Sequence, residues 1–361
     1  MAVYNFDRIN IFLVEDNPYI RNVLERLLRE LKFAKVQVAP NGAEAIEYFQ
    51  DLKKNRAFGE FDIILSDLVM TPLNGLLLLR WIRTAKESPN RFMPFVMLSG
   101  AADHEYVKAA RDLGVTEFMA KPFSVASISR YFLQIIDRPR QFIATQEYFG
   151  PDRRRKSSPP ASGEIKRFIF MRRVTEDKDV SIVYSTEKVV KPKNPSEVWY
   201  FRLTNRLKEK VGGGGAGAGE PGEIPTDILL EAEEQLERSV VDFADWAQDY
   251  LKQLSKLCEQ ALSNAEGRVK VFEDINLLAH ELRGQGGTFG YPLISQFGES
   301  LYKSTREGCG KEGNDVEVVK AHIDSMRAVL REQVTGDGGE IGQALLSGLE
   351  AAIKRHSTAE K

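Results

Sequence analysis

DIILSDLVMTPLNG, residues 62–75, sets an apolar run at 62–66 directly before Asp67 and follows it with a turn-prone stretch that ends at Gly75. A short aliphatic run closed by turn formers reads as a buried strand that delivers Asp67 at its carboxyl end. The pattern recurs on both sides of it. Strand-like runs at 9–14, 35–39, 95–99 and 116–120 alternate with stretches of helical period, and in 20–31 the apolar residues Ile20, Val23, Leu24, Leu27, Leu28 and Leu31 share one helix face. Five βα units of this kind predict a parallel sheet with helices on both faces, because successive parallel strands need crossovers. Ligands of such sheets bind beyond the carboxyl ends of the strands. The residues that stand there are Glu15 and Asp16, Asp67, Ser99 and Lys121.

The 361 residues exceed one ordinary core and predict about two domains with connecting sequence. A hydrophobic fraction of 42% with 28% charged residues is that of a globular chain, and no apolar run approaches the roughly 20 residues of a membrane span, so no membrane insertion is expected. The first residues, MAVYNFDRIN, do not resemble an export signal. Cys258 and Cys309 form no CxxC, which argues against a disulfide framework and fits a reducing, cytoplasmic setting.

The net charge of -2 conceals an uneven distribution. Between Asp152 and Val211 there are sixteen Lys/Arg against eight Asp/Glu, with PDRRRKSSPP at 151–160 and VGGGGAGAGEPG at 211–222 reading as linker. The apolar stretches 168–171, 180–184 and 198–201 suit a small hairpin or an extended chain. Arg153, Arg154 and Arg155 read either as an anion-binding run or as a solvated hinge. Beyond 225 the period is helical: 228–262, 269–289, 292–306 and 316–333, joined by short turns, predict a four-helix bundle. A further amphipathic piece, 341–353, docks on the bundle or binds a partner. The expected organisation is therefore multidomain: an α/β domain at 1–140, a basic linker at 141–225, an all-α bundle at 226–335 and a tail at 336–361.

Three carboxylates gathered at one sheet edge repel one another unless a cation joins them, and hard oxygen ligands with room for water suit Mg2+. The strings FLVEDN (12–17), IILSDLVMTPLNG (63–75), FVMLSGAAD (95–103) and FMAKPF (118–123) resemble the receiver domain of two-component response regulators, a flavodoxin-like (βα)5 fold. The resemblance covers roughly 7–138. It implies that Asp67 is the phosphoacceptor, that Glu15, Asp16 and the backbone carbonyl of Val69 complete the Mg2+ shell, and that Ser99 and Lys121 stabilise the phosphoryl group. It further implies an aromatic switch at Phe118 and a cis junction between Lys121 and Pro122. Pro72 sits one residue later than in many members of the family, and Val69 offers an apolar side chain beside the acceptor.

The segment INLLAHELRGQGGTFGYPL, 275–293, reads as helix yet holds Gly284, Gly286, Gly287 and Gly290, each costing a helix interior about 1 kcal/mol relative to alanine. Helical projection puts Ile275, Leu278, Leu282 and Phe289 on one face and His280, Arg283, Gly284 and Gly287 roughly opposite, which predicts a solvent-facing histidine. An exposed imidazole can act as a nucleophile, a cation at i+3 can lie near a phosphoryl group on it, and glycines let another protein approach. The pattern resembles the histidine phosphotransfer (HPt) domain, closely over 279–290 and loosely over 226–335. By that resemblance His280 is phosphorylated and Arg283, Gly284 and Gly287 form the docking face, with Arg283 replacing the more usual Lys. His104, His322 and His356 lack such neighbours and read as surface residues.

Two functions follow from these readings. In the first the chain is a phosphotransfer intermediate, without a kinase ATP-binding module, that exchanges phosphate with a sensor histidine kinase and with another receiver or HPt protein. In the second, phosphorylation of Asp67 only switches binding to the helical domain, the linker or a partner. No helix-turn-helix follows the receiver-like region, so DNA binding is not expected.

Overall fold

The computed structural model describes residues 2–54, 61–100, 104–153, 198–201, 203–212, 221–264, 266–306 and 313–357. Arg154, Arg155, the stretches 168–171 and 180–184, the glycine tract at 213–220, Cys309 and the side chain of His104 lie outside the described residues. Two compact units divide the chain: Met1–Met119 with Val125–Gln235, and Ala120–Ser124 with Leu236–Lys361.

In the first unit the strands β2 (Asn10–Val14), β3 (Lys35–Ala39), β4 (Ile63–Asp67), β5 (Phe95–Ser99) and β6 (Glu117–Ala120) form one sheet in the order β3-β2-β4-β5-β6. The β2 strand pairs in parallel with β3 and β4, and β4 with β5. Between the strands run α1 (Pro18–Glu30), α2 (Gly42–Lys54), α3 (Gly75–Thr84) and α4 (His104–Asp112), and α5 (Val125–Asp137) follows β6. Every residue of β4 and β5 is buried, as expected of central strands covered on both faces. Phe12, Val14, Ile64, Phe95 and Met97 join Phe49, Leu78, Leu79 and Ile82 in one core cluster. The alternate strand positions, Ile11, Leu13, Ile63, Leu65, Val96 and Leu98, are equally buried and by alternation serve the opposite face.

Much of what the sequence reads as linker is built into this unit. The strands β7 (Phe142–Ala144), β8 (Phe149–Pro151) and β9 (Trp199–Phe201) make a small antiparallel sheet in the order β8-β7-β9, so the hairpin forms at 142–151 and the 198–201 stretch adds its third strand. Phe92, Phe142, Phe149 and Phe201 close edge to face, and the Arg91 guanidinium lies 3.9 Å from the centre of the Phe149 ring. A short helix, α6 (Arg206–Lys210), is fastened to the α/β core through Lys210 to Asp62 at 2.6 Å, Lys208 to Asp137 at 3.2 Å, and the Asn205 side-chain amide to the carbonyl of Ile136 at 2.6 Å. Two-residue strands, β1 (Ala2–Val3) and β10 (Gly222–Glu223), pair in parallel.

The helical region comprises α7 (Thr226–Ser263), α8 (Arg268–Gln285), α9 (Pro292–Ser304), α10 (Gly313–Arg331) and α11 (Gly339–Ser357). Pro292 takes the first turn of α9, where its missing N–H costs nothing. The α8 helix ends before the expected residue 289, because the chain turns through Gly290 at φ +79°, a conformation that favours glycine. A Cβ at Gly298 of α9 would lie 2.5 Å from the backbone nitrogen of Arg283, so this glycine sets how closely α8 and α9 pack. The last helix is six residues longer than the thirteen-residue stretch 341–353 read from the sequence.

Candidate functional site

In the first unit, strand register assembles the site. Val14 lies opposite Ser66 and Asp67 opposite Leu98, so the chain leaves β2 at Glu15, β4 at Asp67 and β5 at Ser99 along one edge. Glu15, Asp16 and Asp67 each place a carboxylate oxygen within 4.8 Å of the other two. Glu15 and Asp67 are buried and Asp16 is half-buried. Two unit charges at such a separation repel by about 4 kcal/mol at an effective dielectric of about 20.

Local sequence explains how the cluster is held. Asn17 caps α1, its side chain accepting from the backbone N–H groups of Tyr19 and Ile20, with Pro18 in the first turn. Arg21 reaches back and donates to the carbonyls of Glu15 at 2.7 Å and Asp16 at 3.2 Å, fixing the loop that carries both acids. Sequence reading missed these two supports, although Asn before Pro at a helix start is a recognisable cap signal. A Cβ on Gly75 would fall 2.2 Å from the Asp67 carbonyl oxygen, which accounts for glycine eight residues beyond the acid. Ser99 is fully buried at the end of β5, and Val69 and Phe118 are half-buried against the core cluster. Lys121 follows β6 and is 7% exposed, and its bond to Pro122 is cis, as the FMAKPF string implied. A second cis bond, Thr71–Pro72, has no counterpart in the sequence reading.

The second candidate site lies on α8 and departs from expectation. His280 is only 6% exposed and Arg283 7%, so neither presents to solvent. The solvent-facing positions of α8 are Val269, Lys270, Glu273, Asp274 and Leu277, while from Ala279 to Gly286 the chain is buried on most sides. Packing on α9 covers one flank. Arg283 pairs with Glu299 at 2.7 Å and its guanidinium lies 4.4 Å from the centre of the Tyr302 ring, while the His280 and Tyr302 ring centres are 5.7 Å apart. Glu299 and Tyr302, one turn apart on α9, are further site residues that sequence reading missed. The Arg283 Nε and Nη2 atoms make no hydrogen bond among the described residues. On the other flank Pro122 and Phe123, which belong to the same compact unit, lie against Gly287 and Thr288.

Burial, with the charges of Arg283 and Lys121 adding to it, pushes the His280 imidazole down to about 3. The ring is therefore neutral at pH 7 and makes no hydrogen bond among the described residues, leaving a lone pair on one nitrogen. His322 also differs from the surface residue expected: it is fully buried, with its ring nitrogens 2.7 Å from the Val318 carbonyl and 2.9 Å from Ser300 Oγ. Its position in the interior of α10 has a structural explanation and no nucleophilic one.

The depressed imidazole has a consequence for stability. An unfolded histidine titrates near 6.5 and the folded His280 near 3, so between those values the unfolded chain binds the extra proton. Stability is fully present above about pH 6.5 and falls as pH drops toward 3, by up to about 1.4 kcal/mol per pH unit for this residue. Burial lowers His322 as well, which adds in the same direction. Thermal melts of the full chain at pH 7.5 and pH 4.5 should show a smaller acid-induced loss in His280→Gln than in the parent, and equal losses would mean that the ring is not held neutral.

Comparison with known proteins follows the same division. The model of the family described as response regulator receiver domain matches residues 11–132. Chemotaxis protein CheY-3 of Vibrio cholerae serotype O1 is 31% identical over 130 residues, which is 36% of this chain and 93% of that protein. Among solved structures, chemotaxis protein CheY4 of Vibrio cholerae is 23% identical with a TM-score of 0.31, covering 35% of this chain and 98% of its own. The receiver domain of a sensor histidine kinase from Pseudomonas aeruginosa, described with a magnesium ion coordinated in its active site cleft, is 28% identical with a TM-score of 0.30, covering 34% of this chain and 93% of its own.

Proposed function

This chain belongs to the response regulator receiver family through its N-terminal residues, and from that premise we propose that it is a cytoplasmic phosphorelay protein that accepts phosphate on Asp67 and carries it on His280. The observation that carries the reading is the convergence of Glu15, Asp16 and Asp67 within 4.8 Å of one another at the carboxyl edge of the sheet. Three hard oxygen donors so close together fit a small divalent cation. Glu15, Asp16, Asp67 and the Val69 carbonyl would hold Mg2+, whose chemistry is to neutralise the carboxylates and the incoming phosphoryl oxygens.

The protein's own groups do the rest. An Asp67 oxygen forms a bond to phosphorus as the donor's P–N bond breaks, and the electron pair returns to the donor imidazole. Ser99 donates a hydrogen bond to the phosphoryl group and Lys121 pairs with its charge, while Phe118 occupies the position expected to repack in response. This is self-phosphorylation from a phosphohistidine donor such as a sensor histidine kinase, so the chain is a phosphotransfer intermediate and turns over no small substrate.

For the helical region the reading is an HPt-like domain. A neutral imidazole is the nucleophilic form of histidine. The two unsatisfied donors of Arg283 suit phosphoryl oxygens on it, and Gly284 and Gly287 leave room for a receiver's surface. The burial of His280 favours the alternative of a phosphorylation-controlled binding switch, in which the helical domain never carries phosphate. Incubation with a labelled, phosphorylated sensor kinase separates the two. The relay requires acid-stable, base-labile label on Asp67 and base-stable label on His280, the latter absent in His280→Gln. If base-stable label never appears with any kinase that labels Asp67, the switch reading stands.

A further inference from the structure

Taking the three acids as the Mg2+ site proposed above, we infer that Arg21 is a positioning residue for that ion. It holds the loop of Glu15 and Asp16 in the shape that Mg2+ demands and so sets the site's preference for Mg2+ over a larger divalent cation. Arg21 lies in the second turn of α1, and the Asn17 that caps the helix directly follows Asp16, so the arginine and both acids share one frame. A single atom, Arg21 Nη1, donates to the carbonyl oxygens of Glu15 at 2.7 Å and Asp16 at 3.2 Å. From the other side the Glu15 N–H donates to the Ala39 carbonyl at the end of β3 at 3.2 Å. The main chain that carries two of the three carboxylates is thus pinned by a helix and by the sheet. Among the described residues Arg21 forms no ion pair: both of its bonds end on main-chain oxygens, so it orders the acids without occupying a carboxylate oxygen.

Charge and geometry make opposite predictions for this residue. A cation beside a cation site repels the incoming ion, so its removal would tighten binding if charge decided the outcome. Mg2+ needs near-octahedral ligands at about 2.0–2.1 Å, whereas Ca2+ accepts oxygens in a flexible arrangement at about 2.3–2.6 Å. A loop released by Arg21 therefore costs Mg2+ more than Ca2+. Residues that orient metal ligands are worth about 10–100-fold in affinity, while the charge of a half-buried side chain is screened by salt, so geometry decides. The two ions carry the same charge, and the ratio of their affinities cancels both the charge effect and any loss of folded chain. Because one nitrogen makes both bonds, a lysine ammonium with its three donors can replace the guanidinium, and a methionine cannot.

Isothermal titration calorimetry of the full-length chain with MgCl2 and with CaCl2 tests this directly. Arg21→Met should bind Mg2+ at least about tenfold more weakly than wild type, and Ca2+ less than about threefold more weakly. Arg21→Lys should stay within about threefold of wild type for both ions. Melts without divalent ions establish that each variant is folded, and Arg21→Gln, whose shorter side chain stops short of the two carbonyls, takes the place of a methionine variant that does not fold. Unchanged or tighter Mg2+ binding, or an equal loss of both ions, overturns the inference and leaves the cation site standing. So does an Arg21→Lys chain that loses Mg2+ as fully as Arg21→Met, because the one-nitrogen geometry requires rescue. Failure of the wild-type chain to bind either ion removes the cation site itself, and the inference with it.

Discussion

Asp67→Asn should lose all base-labile phosphate and, in the absence of Mg2+, make the chain more stable by about 1–3 kcal/mol. Both effects have one cause. The carboxylate proposed to attack phosphorus is also the third negative charge of a cluster whose members lie within 4.8 Å of one another. Neutralising it removes the nucleophile and relieves the repulsion that burial of Glu15 and Asp67 makes harder for water to screen. Wild-type chain should recover that stability when Mg2+ is added, because a ligand that binds only the folded state raises its stability. Thermal melts across a Mg2+ titration should therefore give a rising Tm for wild type and a nearly flat one for Asp67→Asn. If both curves are flat, the three acids are not a cation site and the chemistry assigned to Asp67 loses its support.

The receiver site was legible because Asp67 and Ser99 end their strands and Glu15, Asp16 and Lys121 follow theirs by one or two residues, and strand ends are set by local pattern. The runs at 35–39 and 95–99 match β3 and β5 residue for residue, and the others shift by one. What the sequence could not show was covering by distant segments. Helical projection of 275–289 assigns His280 a face relative to its own helix, but it holds no information about Gly298, whose missing side chain draws α9 onto the Arg283 backbone, or about Pro122 and Phe123, more than 150 residues earlier. His322 was misread in the same way, since its partner Ser300 lies on another helix. The sheet β8-β7-β9 escaped for a related reason: β9 pairs with β7 across more than fifty residues of basic, polar sequence that reads as linker.

That added sheet leads to the second large effect: Arg83→Met should destabilise the first unit by about 3–5 kcal/mol. Arg83 is 1% exposed near the end of α3. Its guanidinium donates to the carbonyls of Gly114 at 2.9 Å, Arg91 at 2.8 Å and Met93 at 2.8 Å, and to Thr116 Oγ1 at 3.4 Å. It also lies 5.2 Å from the centre of the Phe142 ring on β7. Burial lowers it to about 9, so it stays charged at neutral pH without a carboxylate partner among the described residues. One planar fork thereby ties α3 to the chain entering β5, to the turn before β6 and to the added sheet. Methionine fills similar volume but leaves three buried carbonyls without donors, and lysine, a single point charge, cannot span them. Urea denaturation followed by tryptophan fluorescence reads this directly, since Trp81 lies on α3 and Trp199 on β9. Both Arg83→Met and Arg83→Lys should unfold at markedly lower urea than the parent. An unchanged midpoint in either would mean that the carbonyls find other donors, and that the sheet made from the supposed linker is held by its aromatic cluster alone.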